Sequence, residues 1–246
     1  MYKVNIRFYE ELNDFLPANK KKIRFEHYCQ HRTSVKDLIE SLGVPHSEVD
    51  LILVNGISVS FNYVINNNDD ISVYPVFESF DISGAQHLRE TPLRNKKFII
   101  DGNLGKLAKY LRFAGIDSYY RKNILETELI KISQEEMRTI LTRNRGLLKR
   151  SEVNHAYYVR STTPLTQINE VVERFDLSGS FKPFSRCIEC NNELLPVSRL
   201  LIENKVPLKV FEYHSEFYQC INCSKVFWKG SHYEKMKILV EKFKLK

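Results

Sequence analysis

Apolar and polar residues alternate along the first part of the chain with the period of a β-strand. Val4, Ile6 and Phe8 fall on one face, and Ile23 and Phe25 repeat the rhythm. The period then lengthens to that of a helix. Val35, Leu38, Ile39 and Leu42 share one face, Thr33 or Ser34 stands where a cap is needed, and Gly43 ahead of Pro45 stops it. Strand signals return in Leu51, Ile52, Leu53 and Val54, Asn55-Gly56 marks a turn, and Ile71, Ser72, Val73 and Tyr74 form the last strand. The ββαββ order predicts a small α+β module of the β-grasp kind over residues 1–78.

Residues 79–95 lose all periodicity and contain Gly84 and Pro92, which reads as a linker. From Lys96 the pattern becomes β then α, repeated. Phe98, Ile99 and Ile100 form a wholly apolar strand, followed by a helix with Leu104, Leu107, Ala108 and Leu111 inward. Ser118 to Tyr120 opens a second unit, with a helix from Glu126 to Met137. Further strands are expected at 139–142 and 156–159, and a last helix with Pro164 at its first position carries Ile168, Val171, Val172 and Phe175. This alternation predicts a parallel α/β sheet over 96–180, with helices on both faces.

Composition narrows the class. In 246 residues, 43% are hydrophobic and 27% charged, and no window approaches the ~18 uninterrupted apolar residues of a membrane span. About two soluble domains are expected. The N-terminal stretch has acids where a secretory signal needs an apolar core, so a cytoplasmic location and no membrane partner are expected. The net charge of +7 is unevenly spread, −4 over residues 1–93 and +11 over 94–246. A basic C-terminal part suits a polyanion such as RNA, although many basic proteins bind none.

Two patterns carry candidate chemistry. Cys187-x2-Cys190 and Cys220-x2-Cys223 are two thiolate knuckles, and a long hairpin between them brings four sulfurs to one tetrahedral ion. A structural zinc is expected, with residues 181–246 forming a zinc ribbon and C-terminal helix; Cys29 stands alone as an ordinary thiol. Asp101 directly follows the apolar strand, where α/β sheets bind ligands. It is either a metal ligand or the cap of the next helix. Lys106, Lys109 and Arg112 recur every three residues on one helix, and Arg143 and Arg145 flank Asn144. They make an RNA-binding track or a solvated face. Trp228 with Lys229 either stacks a base and meets its phosphate or closes the ribbon core, and His232 is a phosphate contact or a cap.

The runs Phe98-Ile99-Ile100-Asp101-Gly102, Leu104-Gly105-Lys106-Leu107-Ala108, Gly115-Ile116-Asp117, Leu141-Thr142-Arg143-Asn144-Arg145, Phe184-Ser185-Arg186-Cys187 and Trp228-Lys229-Gly230-Ser231-His232 resemble the PIN-like RNase family named after the C-terminal domain of the Mut-seven exonuclease. The first 78 residues resemble the ubiquitin-like, sulfur-carrier type of β-grasp domain fused ahead of it, through Val35-Lys36-Asp37-Leu38, Gly43-Val44-Pro45-His46, Val54-Asn55-Gly56 and Val73-Tyr74-Pro75-Val76. That segment runs on through Phe77 and Glu78 rather than ending in a free Gly-Gly carboxylate, so docking to a protein partner is expected in place of sulfur transfer. The resemblance implies a metal-dependent ribonuclease using Mg²⁺ or Mn²⁺. Asp101 matches the central acid and Glu126 a second, although Glu126 and Glu128 also suit the first turn of any helix. Asn144 stands where the family commonly has Asp. It is a weak ligand, a water-orienting group or a cap, and its missing charge leaves open an RNA-binding or ribosome-associated adaptor with a degenerate site.

Overall fold

The computed structural model describes residues 1–75 and 96–244. The expected linker, and Val76 to Glu78 at the end of the first module, lie outside the described residues. Two compact units emerge. The first runs through the described residues up to 75 and takes in Asn144–Tyr158; the second is Lys96–Arg143 with residues 159–244.

In the first unit, strands β1 (Tyr2–Phe8), β2 (Phe25–Cys29), β3 (Val49–Val54), β4 (Ile57–Ser58) and β5 (Asp70–Pro75) form one mixed sheet in the order β2-β1-β5-β3-β4, and α1 (Val35–Ser41) packs on it. β1 and β5 are parallel at the centre; β1–β2, β3–β4 and β3–β5 are antiparallel. Val4, Ile6 and Phe8 of β1, Ile71 and Val73 of β5, and Val35, Leu38 and Ile39 of α1 are all buried. Ser34 caps α1 by accepting the Asp37 amide at 3.1 Å. Asn55 and Gly56 take left-handed φ values of 51° and 82°, the turn needed to join β3 to β4. β2 starts at Phe25 rather than Ile23, which is exposed.

Asn144–Tyr158 completes this unit. It holds α4 (Arg145–Leu148) and β9 (Ala156–Tyr158). Ser47 Oγ donates to the Leu148 carbonyl at 2.8 Å, and the buried Glu48 carboxylate accepts the Tyr158 amide at 2.5 Å.

The second unit contains β6 (Phe98–Ile100), with parallel neighbours β7 (Ser118–Tyr120) and β8 (Thr139–Thr142) on either side. Where the chain re-enters, the Val159 amide meets the Thr142 carbonyl at 2.8 Å. β6 is fully buried at every position, as a strand covered on both faces must be. Helices α2 (Gly105–Phe113), α3 (Glu126–Glu135) and α5 (Pro164–Arg174) supply the apolar stripes, with α5 capped by Thr163. Beyond them lies an antiparallel sheet of β10 (Leu194–Val197), β11 (Phe217–Cys220) and β12 (Val226–Trp228), then α7 (Ser231–Lys244). The stretch between β10 and β11 holds two 3-10 turns and the short helix α6 (Leu208–Tyr213). No helix of the described residues is long and apolar enough to cross a membrane.

Candidate metal centre and carboxylate edge

The four cysteines come from two turns facing each other at one end of the ribbon. Cys187 and Cys190 precede β10, and Cys220 and Cys223 span the β11–β12 connection. Leu194 is directly opposite Cys220 in the β10–β11 register, which fixes the two knuckles together. All four sulfurs lie within 4.8 Å of one another, with Cys187–Cys223 at 3.6 Å and Cys190–Cys220 at 3.3 Å. Four sulfurs ~2.3 Å from a shared ion sit at similar spacing, so the cluster fits a structural zinc with no open position. Burial raises the Cys187 thiol far above its ordinary value. Burial works the same way on Cys190, but the Asn192 amide and the neighbouring sulfurs overcome it and bring that group down to about 6.

The knuckle is anchored to the parallel sheet by two side chains, Arg112, expected on an RNA-binding track, and Asn191. Arg112 is 2% exposed. Its Nε donates to the Ser118 carbonyl at 2.8 Å, Nη1 to the Ile188 and Glu189 carbonyls at 3.1 and 2.7 Å, and Nη2 to the Tyr120 carbonyl at 3.3 Å. A guanidinium so enclosed is withdrawn from solvent, which corrects its expected place on a phosphate-facing ridge. Arg112 lies four residues after Ala108 and eight after Leu104, so helical geometry puts it on the buried stripe. Asn191 adds a second anchor. Its Oδ1 accepts the Ser118 amide at 2.8 Å, and its Nδ2 donates to Asp117 Oδ1 at 2.8 Å. Asp117 also meets Arg138 at 2.5 Å and Arg186 at 3.5 Å. Burial alone would raise the Asp117 carboxyl, but these partners hold it below its usual value.

Asp101 is half-buried at the carboxyl end of β6. Its side chain caps nothing; Oδ2 instead accepts the Thr142 hydroxyl at 2.7 Å, from the end of β8. The capping alternative for Asp101 is therefore overturned. The turn that follows is held by Tyr120, whose hydroxyl donates to the Gly102 carbonyl at 3.1 Å. A Cβ on Gly105 would lie 2.5 Å from that same hydroxyl oxygen, so the close approach needs glycine. Glu126 opens α3, the helix following β7, and is exposed; Glu128, two residues on, pairs with Arg121. Both Asp101 and Glu126 thus follow the carboxyl ends of parallel strands. Among the described residues, the four cysteines are the one group of three or more His, Cys, Asp or Glu side chains close enough to share an ion. Asn144 caps α4, its Oδ1 accepting the Gly146 and Leu147 amides at 2.9 and 3.3 Å.

The remaining cations divide by exposure. Lys106 and Lys109 are exposed on α2, Lys109 lying 3.6 Å from Glu189. Arg143 is half-buried and directs Nη1 at the Val159, Arg160 and Ser161 carbonyls, at 2.6–2.9 Å. Arg145 lies over the rings of Phe15 and Tyr158. Lys229 meets Glu216 at 2.7 Å, and that partner raises its ammonium pKa. Phe227 packs on the core around Cys187, Leu194 and Cys220, while Trp228 lines a cavity beside it. The side chain of His232 lies outside the described residues.

Residues 96–240 match a family model described as Mut7-C RNAse domain, and residues 1–81 match one described as Mut7-C ubiquitin. No curated protein and no solved structure matches the chain.

Proposed function

Because the chain belongs to the family of the Mut7-C RNAse domain, we propose that it is a metal-dependent ribonuclease that hydrolyses RNA phosphodiester bonds at the carboxyl edge of a PIN-like parallel sheet. The observation that carries this reading is Asp101. A half-buried carboxylate at a strand end, oriented by a neighbouring hydroxyl and relieved of any capping duty, is an oxygen donor prepared for a cation. Glu126 is the second donor. A hard dication with one or two protein carboxylates completes its shell with waters and substrate phosphates, so a site built on Asp101 and Glu126 would take Mg²⁺ or Mn²⁺. Such an ion, when bound, polarises the phosphate and acidifies a water.

The other residues bind and orient. Thr142 fixes the Asp101 carboxylate, Tyr120 fixes the turn behind it, and the exposed Lys106 and Lys109 attract the RNA backbone. Residues 1–78 serve as a docking module for a protein partner, and the protein works in the cytoplasm.

A second reading is favoured by one observation. The Asn144 amide oxygen is engaged in capping α4, which suits an RNA-binding adaptor that no longer cleaves. Incubating the purified zinc-loaded protein with labelled RNA and Mn²⁺, beside Asp101→Asn, separates the two. The ribonuclease reading expects cleavage that falls at least ~100-fold in the variant. Salt-sensitive binding with no cleavage by the parent protein overturns it in favour of the adaptor.

A further inference from the structure

Beside the ribbon, the second unit has a half-open cavity of about 360 Å³ that the proposed ribonuclease site does not use. Five of its twelve lining residues are aromatic, Phe113, Phe184, Phe227, Trp228 and Tyr233; most of the others are aliphatic, and Arg186 is among the polar ones. Phe184 stands among them, edge-on to Tyr233 at 5.0 Å and to Tyr218 at 5.1 Å. Its φ of 66° is a left-handed conformation that a bulky side chain adopts only at a cost. The cost is met by packing that places the ring in the wall.

The volume is near the low end of small-molecule pockets, ~300–1,000 Å³, and suits a flat heterocycle better than a folded peptide element. Aromatic faces bind any base by stacking, and Ser231 adds a hydroxyl to the lining, while Arg186 is held by the Asn191 carbonyl at 2.9 Å and by Asp117 at 3.5 Å. Charge complementarity selects the ligand. Residues 96–143 with 159–246 carry 24 Lys and Arg against 16 Asp and Glu, and the exposed Lys229 next to Trp228 would exchange Glu216, now 2.7 Å away, for a phosphate. An apolar metabolite would gain nothing from that field, whereas a phosphate-linked base would.

We infer that this cavity receives one unpaired nucleobase of RNA, stacked against Trp228 with its phosphate toward Lys229. The ligand class rests on the RNA reading given above. The geometry makes the ribbon a reader of single-stranded RNA as well as a structural support.

Trp228 is the chain's 1 tryptophan among 13 tyrosines, so emission excited selectively in the indole absorption edge reports this wall alone. The test titrates zinc-loaded full-length protein, without Mg²⁺ or Mn²⁺, with single-stranded oligouridylate and oligoadenylate and with a blunt RNA duplex. Labelled RNA is followed in parallel by anisotropy. Saturable quenching by the single strands but not the duplex supports the inference. Val226→Phe enlarges one of the lining side chains while keeping β12 apolar; the expected result is loss of quenching and about ten-fold weaker single-strand binding, with an unchanged circular dichroism spectrum. Binding seen by anisotropy without quenching, or quenching equal in Val226→Phe, overturns it, as does quenching by a fatty acid but not by RNA. Asp101-dependent cleavage without quenching overturns the pocket and leaves the ribonuclease reading intact. Quenching without cleavage does the reverse.

Discussion

Replacing Arg112 by Met is the sharpest perturbation of the anchor between the metal centre and the parallel sheet. The substitution keeps the length of the apolar stem and removes a guanidinium that donates four hydrogen bonds to carbonyls on both sides. Hydrogen bonds from a charged group contribute ~1.5–3 kcal/mol each. The four share one side chain, and losing the buried charge returns part of its desolvation penalty, so they do not add. A loss of ~3–5 kcal/mol remains, a large share of the ~5–15 kcal/mol that holds a domain folded.

Two of the acceptors, Ile188 and Glu189, lie between Cys187 and Cys190, so the same change should loosen the zinc knuckle. Urea denaturation and zinc transfer to a chromophoric chelator measure the two effects on the full chain. Arg112→Met is expected to unfold at markedly lower urea and to give up zinc about ten-fold faster or more. Lys106→Met, exposed on the same helix, should stay within ~0.5 kcal/mol of the parent. If Arg112→Met matched Lys106→Met in both assays and lost only RNA affinity, the anchor would be refuted and Arg112 returned to an RNA-contacting role.

Asn144→Ala should cost ~1 kcal/mol of stability in denaturant melts, because the Gly146 and Leu147 amides lose their cap. The folded Asp117 carboxyl lies below its ordinary value of 3.8, so the stability it contributes is present above about pH 4 and is lost as pH falls through the lowered folded value. Asp117→Asn should therefore flatten the acid limb of a stability–pH profile. Zinc removal should expose residues 187–228 to protease and, through Arg112 and Asn191, raise amide exchange in β7; an unchanged digest and exchange pattern after verified removal would contradict this.

Much of the fold is legible along the chain because its signals are local. The apolar run Phe98–Ile100, the stripes of α2 and α5, the Asn55-Gly56 turn and the two C-x2-C pairs all state their geometry within a few residues. The edge of β2 is less clear, since buried Cys29 rather than Ile23 continues its inner face. Arg112 is misassigned when its charge is weighed above its helical position. The attachment of Asn144–Tyr158 to the first unit depends on Ser47 and Glu48, about a hundred residues away, and no local pattern encodes such pairings. At the carboxylate edge, residue types and strand ends are visible in the sequence. That Asp101 turns to Thr142, 41 residues away, depends on tertiary geometry, whereas the Asn144 cap joins residues two and three positions apart and is a local signal.

The proposed ribonuclease site requires Asp101 and Glu126 to hold a divalent cation. Electron paramagnetic resonance of Mn²⁺ added to zinc-loaded protein measures it directly. One bound Mn²⁺ per chain, displaced by Mg²⁺ and weakened at least about ten-fold in both Asp101→Asn and Glu126→Gln, is the predicted result. An unbroadened free-ion spectrum, or binding indifferent to both substitutions, would contradict it.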